Sequence, residues 1–347
     1  MSTIPLPTPP ANSETPELRV LRPDAVHLVV LVPALNEEKT VGDVVARIPR
    51  EIPGIDRVEV VVVSDGSTDR TEEIAREKGA KVVRHPRPCG VGAAFQSGLR
   101  KAFELGADIV LNIDGDGQFR PEDIPKLVAP IVSGAADFVT ASRFLDPALE
   151  PEMPKLKRWG NRQMSRLVSF LTRSTYHDVS CGMRAYSRDA ALSLSVVEPF
   201  TYTHEVFLHL SAKRMKILEV PIQVRGQREF GKSRVARSLV RYGFNTLKII
   251  ARFYRDYHPL RFFGWMSAAC WVLATPLLVI CLTNYFATGS FSPHRWAGFA
   301  ATVLGICGVA FLFMGVLGDM LHRQRVYLEE ILYNSRSLVS ADGRRNP

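Results

Sequence analysis

Val58-Glu59-Val60-Val61-Val62-Val63-Ser64-Asp65-Gly66-Ser67-Thr68-Asp69 passes, within twelve residues, from a valine run to a polar turn. β-Branched side chains are stiff at χ1 and suit a pleated strand, whereas glycine and short polar residues end one. The next segment, Asp69–Lys78, has helical periodicity. The same order recurs on either side. Strand-like runs at Val26–Val32, Lys81–Arg84 and Asp108–Ile113 alternate with helical patterns at Glu38–Ile48 and Val91–Leu105. Such alternation predicts an α/β fold, a doubly wound and mostly parallel sheet. Further along, Asp137–Ser142 and Ile217–Val224 read as strands, and Lys155–Thr172 and His204–Arg214 as helices.

Composition sets the outer limits. The 347 residues are 46% apolar and 23% charged, which excludes a disordered, collagen-like or disulfide-stapled chain. Formal net charge is +9, yet no zinc-finger, RNP or helix-turn-helix spacing is present. The basic balance therefore points to anionic lipid or phosphate, with no nucleic acid partner. None of the five cysteines forms a CxxC pair. Residues 1–24 hold six prolines and no apolar signal core, and read as a disordered tail.

Two runs lack Asp, Glu, Lys and Arg entirely: Phe262–Phe286 and Trp296–Gly318. Each exceeds the roughly 20 helical residues that a bilayer core requires. Before them, basic residues at 234, 237, 241, 248, 252 and 255 fall on one face of a helix, as in an interfacial anchor. The expected organisation is a tail (1–24), a catalytic domain (25–233), a basic interfacial helix (234–260), a two-span hairpin (261–318) and a C-terminal segment (319–347). Basic residues flank the hairpin on its outer ends, so the positive-inside rule places the catalytic domain and both termini in the cytoplasm.

Polar clusters fall at the predicted strand ends, where open α/β sheets bind ligands. Asp114-Gly115-Asp116-Gly117-Gln118 offers two carboxylates two residues apart, able to turn toward one hard divalent cation; an acidic turn is the other reading. Glu37 and Asp65 could meet a ribose or base edge, whereas Ser67 and Asp69 read equally as helix caps.

Pro33-Ala34-Leu35-Asn36-Glu37, Ser64-Asp65-Gly66-Ser67-Thr68-Asp69 and Asp114-Gly115-Asp116-Gly117-Gln118, in this order and spacing, resemble the motifs of family-2 glycosyltransferases with the GT-A fold. More narrowly, the chain is similar to polyprenyl- and dolichyl-phosphate hexose synthases. The resemblance implies a nucleotide-sugar donor of the GDP-mannose or UDP-glucose class, Mg²⁺ or Mn²⁺, a polyprenyl-phosphate acceptor and an inverting transfer. It assigns Pro33, Leu35, Glu37, Val63 and Asp65 to the nucleoside. Ile113, Asp114, Gly115 and Gln118 fall to the diphosphate, and Asp114, Asp116 and Gln118 to the metal. Asp116, Arg143, Arg228 and Arg234 are the catalytic candidates. Leu35 and Ser64 depart from the usual motif and leave the base open, and Arg234 stands where the family's acceptor loop has lysine, keeping the charge but changing the donor geometry. A homo-oligomer is also left open.

Other readings compete. Gly226–Ser233 satisfies G-x-x-x-x-G-K-[ST], so a P-loop NTPase is an alternative, although no sheet-building segment follows it. A non-catalytic membrane adaptor is a third. Asp178-Val179-Ser180-Cys181-Gly182-Met183-Arg184 resembles a family turn near the sugar, with Cys181 read as structural. Glu205 stands where related enzymes with hydroxyl acceptors place a base, and His204 has no partner spacing for a metal or triad.

Overall fold

The computed structural model of the chain describes residues 25–194, 203–225, 251–252 and 254–345. Its strands are β1 (His27–Ala34), β2 (Arg57–Ser64), β3 (Lys81–Arg84), β4 (Ile109–Asn112), β5 (Phe138–Ser142), β6 (Arg184–Ser187) and β7 (Ile217–Pro221). The soluble helices are α1 (Val41–Arg47), α2 (Thr71–Glu77), α3 (Val91–Glu104), α4 (Ile124–Val132), α5 (Lys155–Thr172), α6 (Arg188–Ser193) and α7 (Thr203–Ala212). All strands share one sheet in the order β3-β2-β1-β4-β6-β5-β7. Its pairings are parallel except those of β6, which runs antiparallel to β4 and β5. The doubly wound, mostly parallel sheet expected from the sequence is present.

Alternate residues of β1 and β2 serve opposite faces, which is why both strands are apolar throughout. Leu28, Val30, Val32, Val60 and Val62 pack with Val41, Val44 and Val45 of α1 and with Leu127 and Val128 of α4. Val29, Leu31, Val61 and Val63 pack beneath Phe95 and Leu99 of α3. Each such side chain, fully removed from water, contributes about 1.5–3 kcal/mol.

Three elements escape the sequence reading: α4, β6 and the short helix α6. Helix α4 carries Pro125 and Pro130, which disguise it; Pro125 falls in the first turn, where its missing N–H costs nothing. Strand β6 is four residues long and opens on a completely buried arginine, Arg184. Among the described residues no strand follows β7, so nothing there completes a P-loop sheet.

The apolar runs form α8 (Pro259–Thr288) and α9 (Arg295–Arg345), both long and apolar enough to cross a membrane. They pack together closely: Ser267 donates to the Gly308 carbonyl at 2.7 Å, and a Cβ on Gly308 would lie 2.8 Å from the Trp271 indole nitrogen. They leave Trp265, Val272, Phe286, Phe299 and Phe313 exposed, large apolar side chains of the kind that suit a lipid environment. Helix α9 continues without a break past Gly318, where the sequence reading ends the hairpin. Residues 1–24 and most of the basic stripe, 234–250, lie outside the described residues.

Candidate active site

Chain order reverses about β1: β2 lies on one side of it and β4 on the other. The crevice beyond the carboxyl ends of β1 and β4 is therefore the topological switch point. Leu31 of β1 pairs with Asn112 of β4, and the acidic loop begins just past it. The Gly115 N–H donates to the Pro33 carbonyl at 3.3 Å, and the Thr40 hydroxyl donates to the Gly115 carbonyl at 2.7 Å. Asp116 is 3% exposed and accepts from the Gln118 N–H at 3.0 Å, while Asp114 is only half-buried. The loop is thus held at the crevice by its backbone contact with β1 and by the Thr40 hydroxyl.

A second loop meets it from β6. Asn112 donates from Nδ2 to the Gly182 carbonyl at 3.0 Å, and a Cβ built on Gly182 would lie 2.5 Å from Asp114 Oδ2. Only glycine lets the backbone approach this carboxylate so closely. Arg184 stabilises the same turn from below: its guanidinium donates to the carbonyls of Val179, Cys181 and Thr203 at 2.7–2.9 Å. The rings of Phe138 and Phe207 lie 5.8 and 5.3 Å from it. One buried cation therefore ties the 178–184 turn to the start of α7. Burial, reinforced by the charge of Arg184, pushes the neighbouring His204 down to about 3, so this imidazole is neutral. Cys181 is likewise buried, its thiol pushed up to about 12, which suits a packing role.

Arg143 enters from the end of β5 and meets Asp178. Its Nε and Nη2 donate to the two carboxylate oxygens at 2.6 and 2.8 Å, and Nη2 also donates to Ser180 Oγ at 2.8 Å. Asp178 is fully buried; burial opposes its ionisation, but the Arg143 guanidinium outweighs this and holds the carboxyl below its usual range. The guanidinium is thereby fixed in plane at the carboxyl edge.

On the β2 side, the loops after β1 and β2 are joined to each other. The Asn36 N–H donates to Ser67 Oγ at 3.1 Å, the Thr68 N–H to Asn36 Oδ1 at 2.8 Å, and the Glu37 N–H to Thr71 Oγ1 at 2.8 Å. Asn36 takes a left-handed backbone, φ 54°, to make this possible. The Glu38 N–H also donates to Asp69 Oδ2 at 3.2 Å, so Ser67 and Asp69 hold the loops together. Pro33 and Val63 are register partners on adjacent strands, with Leu35 and Glu37 just beyond. Asp65, 5% exposed, accepts the N–H groups of Cys89 and Gly90, both at 2.8 Å, and pairs with His85.

The structure therefore gathers Pro33, Leu35, Glu37, Val63, Asp65, Ile113, Asp114, Gly115, Asp116, Gln118 and Arg143 along one edge of the sheet. Arg228 and Arg234 lie outside the described residues, but the segment that leads to them is rooted at the acidic loop. Gln118 Nε2 donates to the Arg225 carbonyl at 3.2 Å, and the Arg225 N–H to the Gln118 carbonyl at 3.0 Å. Thr40, Asp178, Gly182 and Arg184 have positioning roles that sequence reasoning missed. The 178–184 turn was visible as a motif, but nothing in its spacing indicates contact with Asp114.

Comparison with known proteins agrees with this geometry. The model of glycosyl transferase family 2 matches residues 29–194. The chain is 36% identical over 200 residues to the dolichyl-phosphate hexose transferase of Haloferax volcanii, spanning 57% of this chain and 82% of that protein. It is 32% identical over 217 residues to the UDP-N-acetylglucosamine–dolichyl-phosphate N-acetylglucosaminyltransferase of Methanococcus voltae, spanning 56% and 84%. Among solved structures, glucosyl-3-phosphoglycerate synthase of Mycobacterium tuberculosis, in complex with Mn²⁺, UDP and glucosyl-3-phosphoglycerate, superposes with a TM-score of 0.51. Identity there is 26%, over 67% of this chain and 80% of that one. With the matched segment spanning the sheet up to the end of α6 and the acidic loop at its switch point, the chain belongs to glycosyltransferase family 2.

Proposed function

We propose that this glycosyltransferase is anchored in a membrane and moves one hexose, with inversion, from a nucleotide sugar of the GDP-mannose or UDP-glucose class to polyprenyl phosphate. The observation that carries this reading is the joining of two segments by Gln118 and Arg225. The acidic loop suits the donor diphosphate, and the 226–234 segment, which resembles the family's acceptor loop, starts from it. The names of the Haloferax and Methanococcus relatives, both specifying dolichyl phosphate, support the acceptor class. The second of them transfers N-acetylglucosamine, so the sugar is for the assay to decide.

Asp114 and Asp116 form a hard oxygen donor set, with Gly182 leaving open the space beside Asp114 that a Cβ would fill. They, with Gln118 beside them, would hold Mg²⁺ or Mn²⁺, which supplies charge neutralisation to the departing diphosphate. Arg143, held in place by Asp178, would serve a phosphate or sugar oxygen, and Arg228 and Arg234 would hold acceptor phosphate. An acceptor phosphate oxygen attacks the anomeric carbon as the donor bond breaks. A phosphate monoester, with its second pKa near 6, is already largely dianionic at neutral pH, so no side chain must remove a proton. Helices α8 and α9 would tether the catalytic domain to the membrane, with that domain and both termini in the cytoplasm.

The test incubates the full chain in membranes with polyprenyl phosphate and labelled nucleotide sugars, and counts label entering organic solvent. One donor should label the lipid, and Asp116→Asn should abolish this without unfolding the protein. Absence of labelled lipid with every donor, from a folded protein that binds nucleotide, would refute the acceptor class.

A further inference from the structure

We infer that Asp65, His85 and Cys89 form a second cation site, for a thiophilic divalent metal such as Zn²⁺, at the nucleoside end of the donor crevice. Their ligand atoms all lie within 4.8 Å of one another. Ligand atoms on a tetrahedral zinc, with bonds of about 2.0–2.3 Å, lie between roughly 3 and 4 Å apart, so a small side-chain adjustment completes the set. The donors are one carboxylate, one imidazole and one sulfur. That chemistry selects zinc over the hard cations favoured by Asp114 and Asp116.

The cluster is assembled by backbone structure. Pro86 and Pro88 restrict the loop that carries His85 and Cys89. Gly66 packs against it so closely that a Cβ would lie 2.6 Å from the Arg87 carbonyl carbon. Asp65 then receives the N–H groups of Cys89 and Gly90. The Asp65 and His85 side chains are 7% and 12% exposed, whereas Cys89 is exposed and gives access.

His85 is also provided with an outer partner. Its Nδ1 lies 2.8 Å from Asp65 Oδ1 and its Nε2 lies 2.9 Å from Ser97 Oγ. Without metal, Nδ1–H donates to the carboxylate and the Ser97 hydroxyl donates to Nε2. With metal on Nδ1, the proton resides on Nε2 and the same hydroxyl, rotated, accepts it. Ser97 serves either tautomer, and a second-shell hydrogen bond of this kind is what orients a metal-bound histidine. The cysteine thiol also releases its proton on ligation, so binding releases one proton to solvent from sulfur while the imidazole only exchanges tautomers. Three protein ligands leave a fourth position open, as in zinc sites that exchange ligands.

Occupancy would engage the Asp65 carboxylate and so oppose nucleotide binding; this consequence, unlike the site itself, rests on the donor reading above. The first measurement needs no substrate. The full chain in detergent competes with a chromophoric chelator for Zn²⁺. One equivalent should bind, Cys89→Ser should weaken it by tenfold or more, and Ser97→Ala by about 10–100-fold. Asp116→Asn should leave it unchanged. Equal affinity in wild type and Cys89→Ser, or loss in Asp116→Asn, would overturn the site. The second measurement follows UDP and GDP binding at saturating Zn²⁺. Whichever nucleotide binds should weaken in wild type and not in Cys89→Ser. Nucleotide affinity indifferent to Zn²⁺ in wild type would refute the competition, and binding of neither nucleotide even without Zn²⁺ would count against the donor reading.

Discussion

Gly182→Ala isolates the contact between the β6 turn and the acidic loop. The added methyl would lie 2.5 Å from Asp114 Oδ2 and 3.1 Å from its Cγ, whereas ordinary contact begins near 3.4 Å. The carboxylate must retreat by about 0.9 Å. It sits at the end of a two-torsion side chain, so it can rotate away at a cost of about 0.5–1.5 kcal/mol for leaving its rotamer. The fold should hardly register this. Chemistry should, because a displacement of about 1 Å in a positioned group can cost on the order of 10²-fold in rate, equivalent to about 2.7 kcal/mol of barrier. The assay pairs initial rates of label transfer over an Mg²⁺ or Mn²⁺ titration with thermal unfolding of the same preparation. The expected result is a midpoint within a few degrees of wild type, a rate down about 10²-fold and a raised metal requirement. Wild-type rate and metal dependence would refute the placement of Asp114 against this turn. A rate lost only in proportion to unfolded protein would refute its catalytic meaning.

Three further outcomes are expected. Asp178→Ala strands Arg143 beside a vacated buried position, and should destabilise the domain by about 3 kcal/mol or more in chemical denaturation; an unchanged midpoint would show that the pair holds nothing. His204 and His209 are pushed by burial to about 3 and about 4, so below their unfolded value of 6.5 the unfolded state binds more protons; stability should be level above about pH 6.5 and decline as pH falls toward 4. Thermal midpoints that hold or rise on acidification over that window would contradict this, and His204→Phe should flatten part of the slope. Glu205→Gln should retain appreciable transfer, since a phosphate acceptor needs no base; a loss of 10³-fold or more in a folded, nucleotide-binding variant would point to a hydroxyl acceptor.

What could be read from the sequence follows from how local each signal is. The strands ending at Ala34, Ser64 and Asn112 declare themselves, because apolar runs rich in Val and Ile stop abruptly at the polar clusters Asn36-Glu37, Asp65-Gly66 and Asp114-Gly115. The acidic loop is legible for the same reason. Strand β6 was hidden: four residues beginning with arginine look polar, and only Phe138, Phe207 and three carbonyls explain how that cation is buried. Arg143 was found as a motif residue, but its dependence on Asp178 is a contact across 35 positions that no periodicity encodes. Thr40 matters through its hydroxyl on the Gly115 carbonyl and Gly182 through its close approach to Asp114, contacts between residues far apart in the chain that no local pattern encodes.

Helix α9 extends this point to the whole molecule. At 1.5 Å per residue its 51 residues span about 77 Å, while a bilayer core takes only about 30 Å. The remainder docks on the catalytic domain through a polar stripe. Glu329 meets Lys213 at 3.3 Å, the Tyr333 hydroxyl donates to Asp189 at 2.8 Å, and Arg336 donates to the Leu192 carbonyl at 3.1 Å. Ser340 is buried, and Arg344 pairs with Asp108. Steps of three and four place these residues on one helical face. At the base of the hairpin, Tyr257 hydrogen-bonds with His209 of α7 at 2.9 Å, and the Arg325 guanidinium lies 4.8 Å from the Tyr257 ring centre. Asp108 precedes β4, so α9 reaches the sheet's amino edge, opposite the acidic loop. A continuous helix resists bending far better than a flexible linker, and its docking face avoids the crevice. The anchor therefore fixes how the catalytic domain stands relative to α8 and α9 while leaving the carboxyl edge free for substrates.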